Sequence, residues 1–192
     1  MSGMEMVAVA FAIAYLLLAI RQNVLCWAAA IASSGIYVAL MYAAGLYMES
    51  VLQFFYIGMA IYGWISWQHG VGVRQELPVT SWPLVFHVLP LSLIAVMTVL
   101  SGYLLESYSN AALPYLDSFT SWSAVITTWM VARKVLQNWH YWFVIDSISV
   151  YLYISRGLLL TALLFSCYLV LIIFGYRAWC QSMAPSSKAE TS

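Results

Sequence analysis

The sequence predicts an all-α integral membrane protein with seven transmembrane helices, and three observations carry that prediction. Of its 192 residues, 64% are hydrophobic and only 7% charged, where a soluble domain carries about 25% charged residues. Apolar runs of spanning length recur with short polar breaks, and a hydrocarbon core of about 30 Å needs about 20 helical residues at 1.5 Å rise each. One long segment also resembles another at a fixed offset. With a mean hydropathy of +0.88, the chain cannot be disordered for want of apolar residues. Seven Lys/Arg balanced by seven Asp/Glu give no basic field for a nucleic acid.

The seven runs extend from about Met6 to Ile20, Val24 to Tyr42, Val51 to Trp67, Trp82 to Leu104, Phe119 to Ala132, Trp139 to Ser155 and Leu158 to Trp179. Short loops and the polar tail Ala184 to Ser192 leave no room for a soluble catalytic domain, so function is expected inside the membrane. The first run lacks a basic n-region and an Ala-x-Ala site, which predicts a retained helix and not a signal peptide. With the N-terminus outside, Arg21, Arg74, Arg133, Lys134, Arg177 and Lys188 fall on the cytoplasmic side and only Arg156 outside, as the positive-inside rule favours. Cys26, Cys167 and Cys180 show neither a disulfide framework nor a metal spacing.

At an offset of 112 residues, Arg21 to Gln68 overlays Arg133 to Cys180 without a gap. Identities include Arg21 with Arg133, Trp27 with Trp139, Gly45-Leu46 with Gly157-Leu158, Tyr56 with Tyr168, Gly63 with Gly175 and Trp67 with Trp179. Such self-similarity is the mark of a duplication. Two three-helix units separated by one linker helix would share one orientation, a 3+1+3 parallel repeat. The expected division is a first three-helix bundle over 1–67, a cytoplasmic loop and linker helix over 68–104, a second bundle over 105–179 and a cytoplasmic tail over 180–192.

Asp146 is the only acidic residue deep within a span, about 10 Å in from Trp139 at 1.5 Å per residue. A mid-helix Asp costs about 2.5–3.5 kcal/mol on insertion scales, so it should face a partner or a wet cavity. Asn138, Trp142, Asp146, Ser149 and Tyr153 follow at steps of four, four, three and four, which makes one helical stripe. The expected role is to line a substrate site; the structural alternative ties Asp146 to a neighbouring helix through a Ser, a Tyr or His140. A matching stripe on the third span holds Gln53, Tyr56, Ala60, Trp64 and Trp67, with Gly63 allowing close helix approach. Gln53 donates and accepts hydrogen bonds, while Trp64 offers a face to a flat ring or a cation. Trp27, Trp67, Trp139 and Trp179 stand near span ends and read as an interfacial aromatic belt. Trp122 and Trp129 share a face of the fifth span, for core packing or pathway lining.

Catalysis is not expected. His69, His87 and His140 lack metal-ligand spacing, no Gly-x-Ser-x-Gly elbow or Gly-Lys-Ser/Thr phosphate loop occurs, and no pair of intramembrane carboxylates is present. Ser33-Ser34-Gly35 reads as a small-residue helix contact and not as a serine protease. No cofactor or metal is called for.

Two segments resemble the Pnu family of bacterial vitamin transporters: Leu52-Gln53-Phe54-Phe55-Tyr56 with Ile61-Tyr62-Gly63-Trp64-Ile65-Ser66-Trp67, and Asn138-Trp139-His140-Tyr141-Trp142 with Ile145-Asp146-Ser147-Ile148-Ser149, then Gly157 and Tyr176 to Trp179. The resemblance implies seven helices in two parallel bundles, similar to the sugar-transporting SWEET proteins. It also implies a multi-pass place in the bacterial inner (plasma) membrane and facilitated diffusion of a flat cationic vitamin, trapped by cytoplasmic phosphorylation. Nicotinamide riboside, which feeds NAD biosynthesis, stands first and thiamine is the alternative. Ala60 departs from the Asn that riboside transporters tend to carry before Ile-Tyr-Gly-Trp, which raises thiamine. Gln53, Trp64, Asn138, Trp142 and Asp146 match the family's site pattern. The implied partners are the vitamin and the bilayer, with a second copy of the chain as a further candidate. A membrane receptor or scaffold that transports nothing is the reading from a different class.

The basic bias yields a direct expectation for orientation. A Cys introduced at Ser187 is expected to resist an impermeant thiol reagent applied to intact cells and to react once the membrane is opened. Labelling from outside would reverse the topology.

Overall fold

In the computed structural model, the structure describes residues 3–43, 47–68, 77–108, 113–155 and 159–183. Gly45, His69, Arg74, Arg156, Gly157 and the tail with Ser187 and Lys188 lie outside the described residues. Among those described, seven α-helices follow in order: α1 (Gly3–Ile20), α2 (Leu25–Ala43), α3 (Tyr47–Gln68), α4 (Val88–Tyr108), α5 (Pro114–Ala132), α6 (Asn138–Ser155) and α7 (Leu159–Met183). A single 3-10 turn, Leu84–His87, leads into α4. The expected runs and the observed helices agree to within a few residues at most ends; α5 starts five residues before its apolar run, because Pro114 and Asp117 supply a polar first turn.

Large apolar side chains stand exposed along these helices, among them Leu89 at 77%, Leu163 at 61% and Phe174 at 56%. Such a surface is stable against hydrocarbon and not against water. Three stretches are long and apolar enough to cross a membrane by length and composition: Gly3–Ile20, Leu84–Tyr108 and Ala162–Met183; Leu25–Leu40 is a shorter apolar helix. Helices α5 and α6 have 19 and 18 residues but carry buried Ser118, Ser123, Thr127, Asn138, Asp146 and Ser149. These lower the mean hydropathy, and their burial keeps the polar groups away from lipid.

The chain forms two compact units. One holds Met1–Thr80, Ala132–Lys134 and Phe174–Ser192; the other holds Ser81–Val131 and Val135–Ile173. In the first, α1 packs on α2 and α2 on α3. Ser33 of α2 donates to the Ala8 carbonyl of α1 at 3.0 Å, so Ser33 makes the helix contact expected of it. Gly35 does not, since nothing lies within 4 Å of where its Cβ would be.

Helix α1 ends in a left-handed turn without a glycine. Gln22 has φ 54°, its N–H reaches the Ala19 carbonyl at 3.0 Å, and the Asn23 N–H reaches Leu18 at 2.9 Å. This pair of bonds is the Schellman arrangement, which satisfies carbonyls left open at a helix end. Helix α5 ends the same way: Lys134 has φ 48° and the Val135 N–H reaches Met130 at 3.0 Å. Both turns place a non-glycine residue where a Cβ costs about 1–2 kcal/mol. Residues 22 and 134 stand 112 apart, as do the ends of α1 and α5, the ends of α2 and α6, and the starts of α3 and α7. Within the first unit the two turn residues meet, with Lys134 Nζ donating to Gln22 Oε1 at 3.2 Å.

Tryptophan fills the space beneath these turns. Trp67 meets Trp27 edge-on at 5.4 Å between ring centroids and Trp179 at 6.2 Å, and the Lys134 ammonium lies 4.6 Å from the Trp67 ring centroid. Trp179 Nε1 donates to the Ala19 carbonyl at 3.0 Å. Trp27, Trp67, Trp139 and Trp179 are all 3% exposed or less, which overturns the expectation of an aromatic belt. Belt residues face headgroups, and these face protein. In the second unit Trp122 Nε1 donates to Ser101 Oγ of α4 at 3.1 Å, while Trp129 is 38% exposed and meets Trp82 at 5.7 Å. Trp122 therefore joins α5 to α4.

A Cβ on Gly63 would run into the six-membered ring of buried Trp27. Gly63→Ala is expected to cost about 1–3 kcal/mol through overpacking, read as a lower melting temperature of the detergent-purified protein. Gly35→Ala, in open space, is expected to leave that temperature level or raise it.

Candidate functional site

The second unit presents the sixth-helix stripe as a buried face. Asn138 is fully buried, Asp146 is 5% exposed and Ser149 7%, with Trp142 and Tyr153 half-buried on the same side of α6. The helical period brings the five onto one face, as expected from their spacing. Tyr153 is held against Phe165 of α7 at 5.1 Å. Asn138 Nδ2 donates to the Val135 carbonyl at 2.6 Å, which closes the turn entering α6, while its Oδ1 is buried with no hydrogen-bond partner.

Asp146 is the least expected member energetically. Among the described residues its carboxyl has no hydrogen-bond or ion-pair partner, so neither a Ser, a Tyr nor His140 ties it down. A buried polar group without a partner costs about 1–3 kcal/mol, and more when charged.

Helix α5 adds buried hydroxyls that the sequence reading passed over. Ser118, Ser123 and Thr127 are 3% exposed or less. Thr127 returns its hydroxyl to the Ser123 carbonyl at 2.7 Å, but Ser118 Oγ and Ser123 Oγ are buried without partners. Their signal in the sequence is the run of Ser and Thr inside a span, from Ser118 to Thr128. Ser123 also borders a cavity of about 350 Å³ with Leu91, Phe119, His87, Tyr141 and Ile145. There His87 Nδ1 and the Tyr141 hydroxyl are 2.9 Å apart and their rings stack at 5.7 Å.

The first unit carries the third-helix stripe. Gln53, Tyr56 and Trp64 are half-buried, Ala60 is 1% exposed and Trp67 3%. Gln53, Tyr56 and Trp64 keep part of their surface open, whereas Trp67 is used up in packing against Trp27 and Trp179. Tyr56 rests its ring against Phe55 at 5.8 Å. No group of three or more His, Cys, Asp or Glu converges into a metal site among the described residues.

Comparison with known proteins bears on this polar interior. Residues 2–181 match the family described as "Nicotinamide mononucleotide transporter". The chain belongs to that family. Among its relatives, the nicotinamide riboside transporter PnuC of Escherichia coli (strain K12) is 24% identical over 162 residues, covering 71% of this chain and 68% of the relative. The riboflavin/roseoflavin transporter RibM of Streptomyces davaonensis is 23% identical over 128 residues, covering 64% of this chain and 59% of its own. In three dimensions, the crystal structure of the vitamin B3 transporter PnuC superimposes with a TM-score of 0.72 at 19% identity, over 93% of this chain and 80% of that one. The protein is thus a multi-pass membrane transporter of the Pnu type, and its relatives are transporters and not enzymes.

One variant tests whether the Asp146 carboxyl, without a partner among the described residues, serves a ligand or the fold. Asp146→Asn keeps shape and hydrogen bonding but removes the charge, and a loss of about 1.4 kcal/mol weakens ligand binding tenfold. Affinity and melting temperature measured on the same purified variant separate the two roles: a ligand group loses affinity at unchanged melting temperature, and a structural group does the reverse.

Proposed function

We propose that the protein carries a flat, cationic, ring-bearing vitamin across the bacterial inner membrane by facilitated diffusion, with nicotinamide riboside as the first assignment. The observation that carries this reading is Asp146, buried and unpartnered on an aromatic-flanked face of α6. A pyridinium or thiazolium ring gains from aromatic faces such as Trp64 and Trp142 by cation–π attraction and from a partly desolvated carboxylate. Gln53 and Asn138 supply hydrogen bonds, and Tyr56, Ser149 and Tyr153 complete the two stripes. The Escherichia coli relative named for nicotinamide riboside supports that ligand; the relative named for riboflavin and roseoflavin supports a family built around flat rings. Thiamine is the alternative, favoured by Ala60 in place of Asn.

The architecture we infer is the 3+1+3 parallel repeat of SWEET type, with bundles over 1–67 and 105–179, the loop and linker helix over 68–104 and the tail over 180–192. Support comes from the paired left-handed turns at Gln22 and Lys134 and from helix ends that recur 112 residues apart. The basic bias supports an external N-terminus and a cytoplasmic C-terminus. A carrier coupled to protons needs a relay of intramembrane acids or His, whereas Asp146 stands by itself in its span. Equilibration followed by cytoplasmic phosphorylation fits that pattern.

Titration of the purified protein with nicotinamide riboside, thiamine and riboflavin side by side identifies the ligand, with the riboside expected to bind tightest. In proteoliposomes without an internal kinase, labelled ligand is expected to reach the outside concentration and stop there, with or without an uncoupler. Accumulation that the uncoupler abolishes would establish proton coupling, and binding without flux would establish a receptor.

A further inference from the structure

Beneath the α1–α2 turn lies a polar cavity of about 680 Å³ whose lining includes none of the residues assigned above to the vitamin. Arg21, Gln22 and Asn23 line it from the turn, Gln68 from the end of α3, and Lys134 lies across the Trp67 indole. Among the described residues, two cations and three amide side chains surround it and none of the lining is acidic.

At two of the lining positions, 23 and 68, the amide is found in one member only of the pair of positions 112 residues apart, whereas Arg21 and Gln22 correspond to Arg133 and Lys134. Asn23 and Gln68 correspond to Val135 and Cys180, and Val135 is fully buried. Arg133 reaches the Tyr62 hydroxyl at 3.5 Å. For Arg21 the residue matching Tyr62 is Phe174, which has no hydroxyl to offer. Among the described residues Arg21 makes no hydrogen bond or ion pair. Arg21 without a partner among the described residues, and Gln68 where its counterpart is Cys180, are left for a task outside the fold.

Helix ends normally repel anions at their carbonyl side. Here that effect is muted: Ala19 accepts from the Gln22 N–H and from Trp179 Nε1, and Leu18 accepts from the Asn23 N–H. Asn23 Oδ1 accepts from the Leu25 N–H at 2.9 Å, so its Nδ2 donors remain for a ligand. An arginine fork, a lysine and amide N–H groups suit a phosphate group, which takes bidentate and point-charge contacts together.

We propose that this cavity is an anion site that takes a phosphate group, borne either by a soluble phosphate monoester or by an anionic lipid headgroup. The proposal draws on the reading above only for the cytoplasmic side of the membrane, where both sources occur.

The test uses the full chain and no vitamin, so its outcome is independent of whether the riboside is carried. In detergent, inorganic phosphate and nicotinamide mononucleotide are each titrated against chloride at equal ionic strength, with melting temperature and calorimetry as readouts. In nanodiscs, melting temperature is compared between phosphatidylglycerol and phosphatidylcholine. A soluble source gives saturable binding in detergent that Arg21→Gln weakens about tenfold, the size of loss that one charge-assisted contact carries. A lipid source gives no response to soluble phosphates but a higher melting temperature in phosphatidylglycerol, lost in Arg21→Gln. Arg133→Gln is expected to leave either response intact, and Gln68→Leu to reduce it, which keeps the test from resting on one variant. No response in either setting, or a response that Arg21→Gln retains in full, overturns the proposal.

Discussion

The indole of Trp67 is the contact on which the first unit depends. Trp27 of α2 and Trp179 of α7 press against it, and the Lys134 ammonium from the α5–α6 turn lies on its ring. Each aromatic pair is worth about 0.5–1.5 kcal/mol beyond its buried area, and a desolvated cation–π contact about 2 kcal/mol. Segments remote in sequence are thereby pinned at one point. In a bilayer, where apolar burial alone gives helices little reason to associate, such specific packing has to do that work. Gly63 belongs to the same arrangement, because only a residue without Cβ lets the Trp27 ring lie where it does.

Polarity follows the same logic of a solvent that cannot hydrogen-bond. Hydroxyls on α5 and α6 that return to a carbonyl four residues back, such as Thr127 to Ser123 and Thr128 to Ala124, are satisfied within their own helix. Asp146, Asn138 Oδ1, Ser118 Oγ and Ser123 Oγ are not. All four belong to the second unit, where they keep hydrogen-bonding capacity that the helices themselves leave unfilled.

Much of the architecture was legible because length and hydropathy in a membrane are nearly one-dimensional constraints: seven runs became seven helices with ends shifted by a few residues. The α6 face was legible for a similar reason, since steps of three and four decide which side chains share a side. Tryptophan misled, because an indole near a helix end suits a headgroup region and a helix junction equally well by composition. The clue was in the repeat, which places Trp27 with Trp139 and Trp67 with Trp179, a register that a lipid-facing belt does not require. Gln22 and Lys134 gave no local signal, because neither residue type favours a left-handed turn and only tertiary contact holds them there.

Those two turns bear on how the protein is made. Glycine at either position would relieve the backbone but would remove a side chain, and the bond between Lys134 and Gln22 joins residues 112 apart. When the first hairpin leaves the ribosome, its strained turn has no partner and must wait for most of the remaining chain to be synthesised. The latch between the two turns can close only after the fifth helix and the turn behind it have been synthesised, so a chain truncated before the fifth helix would lack it altogether.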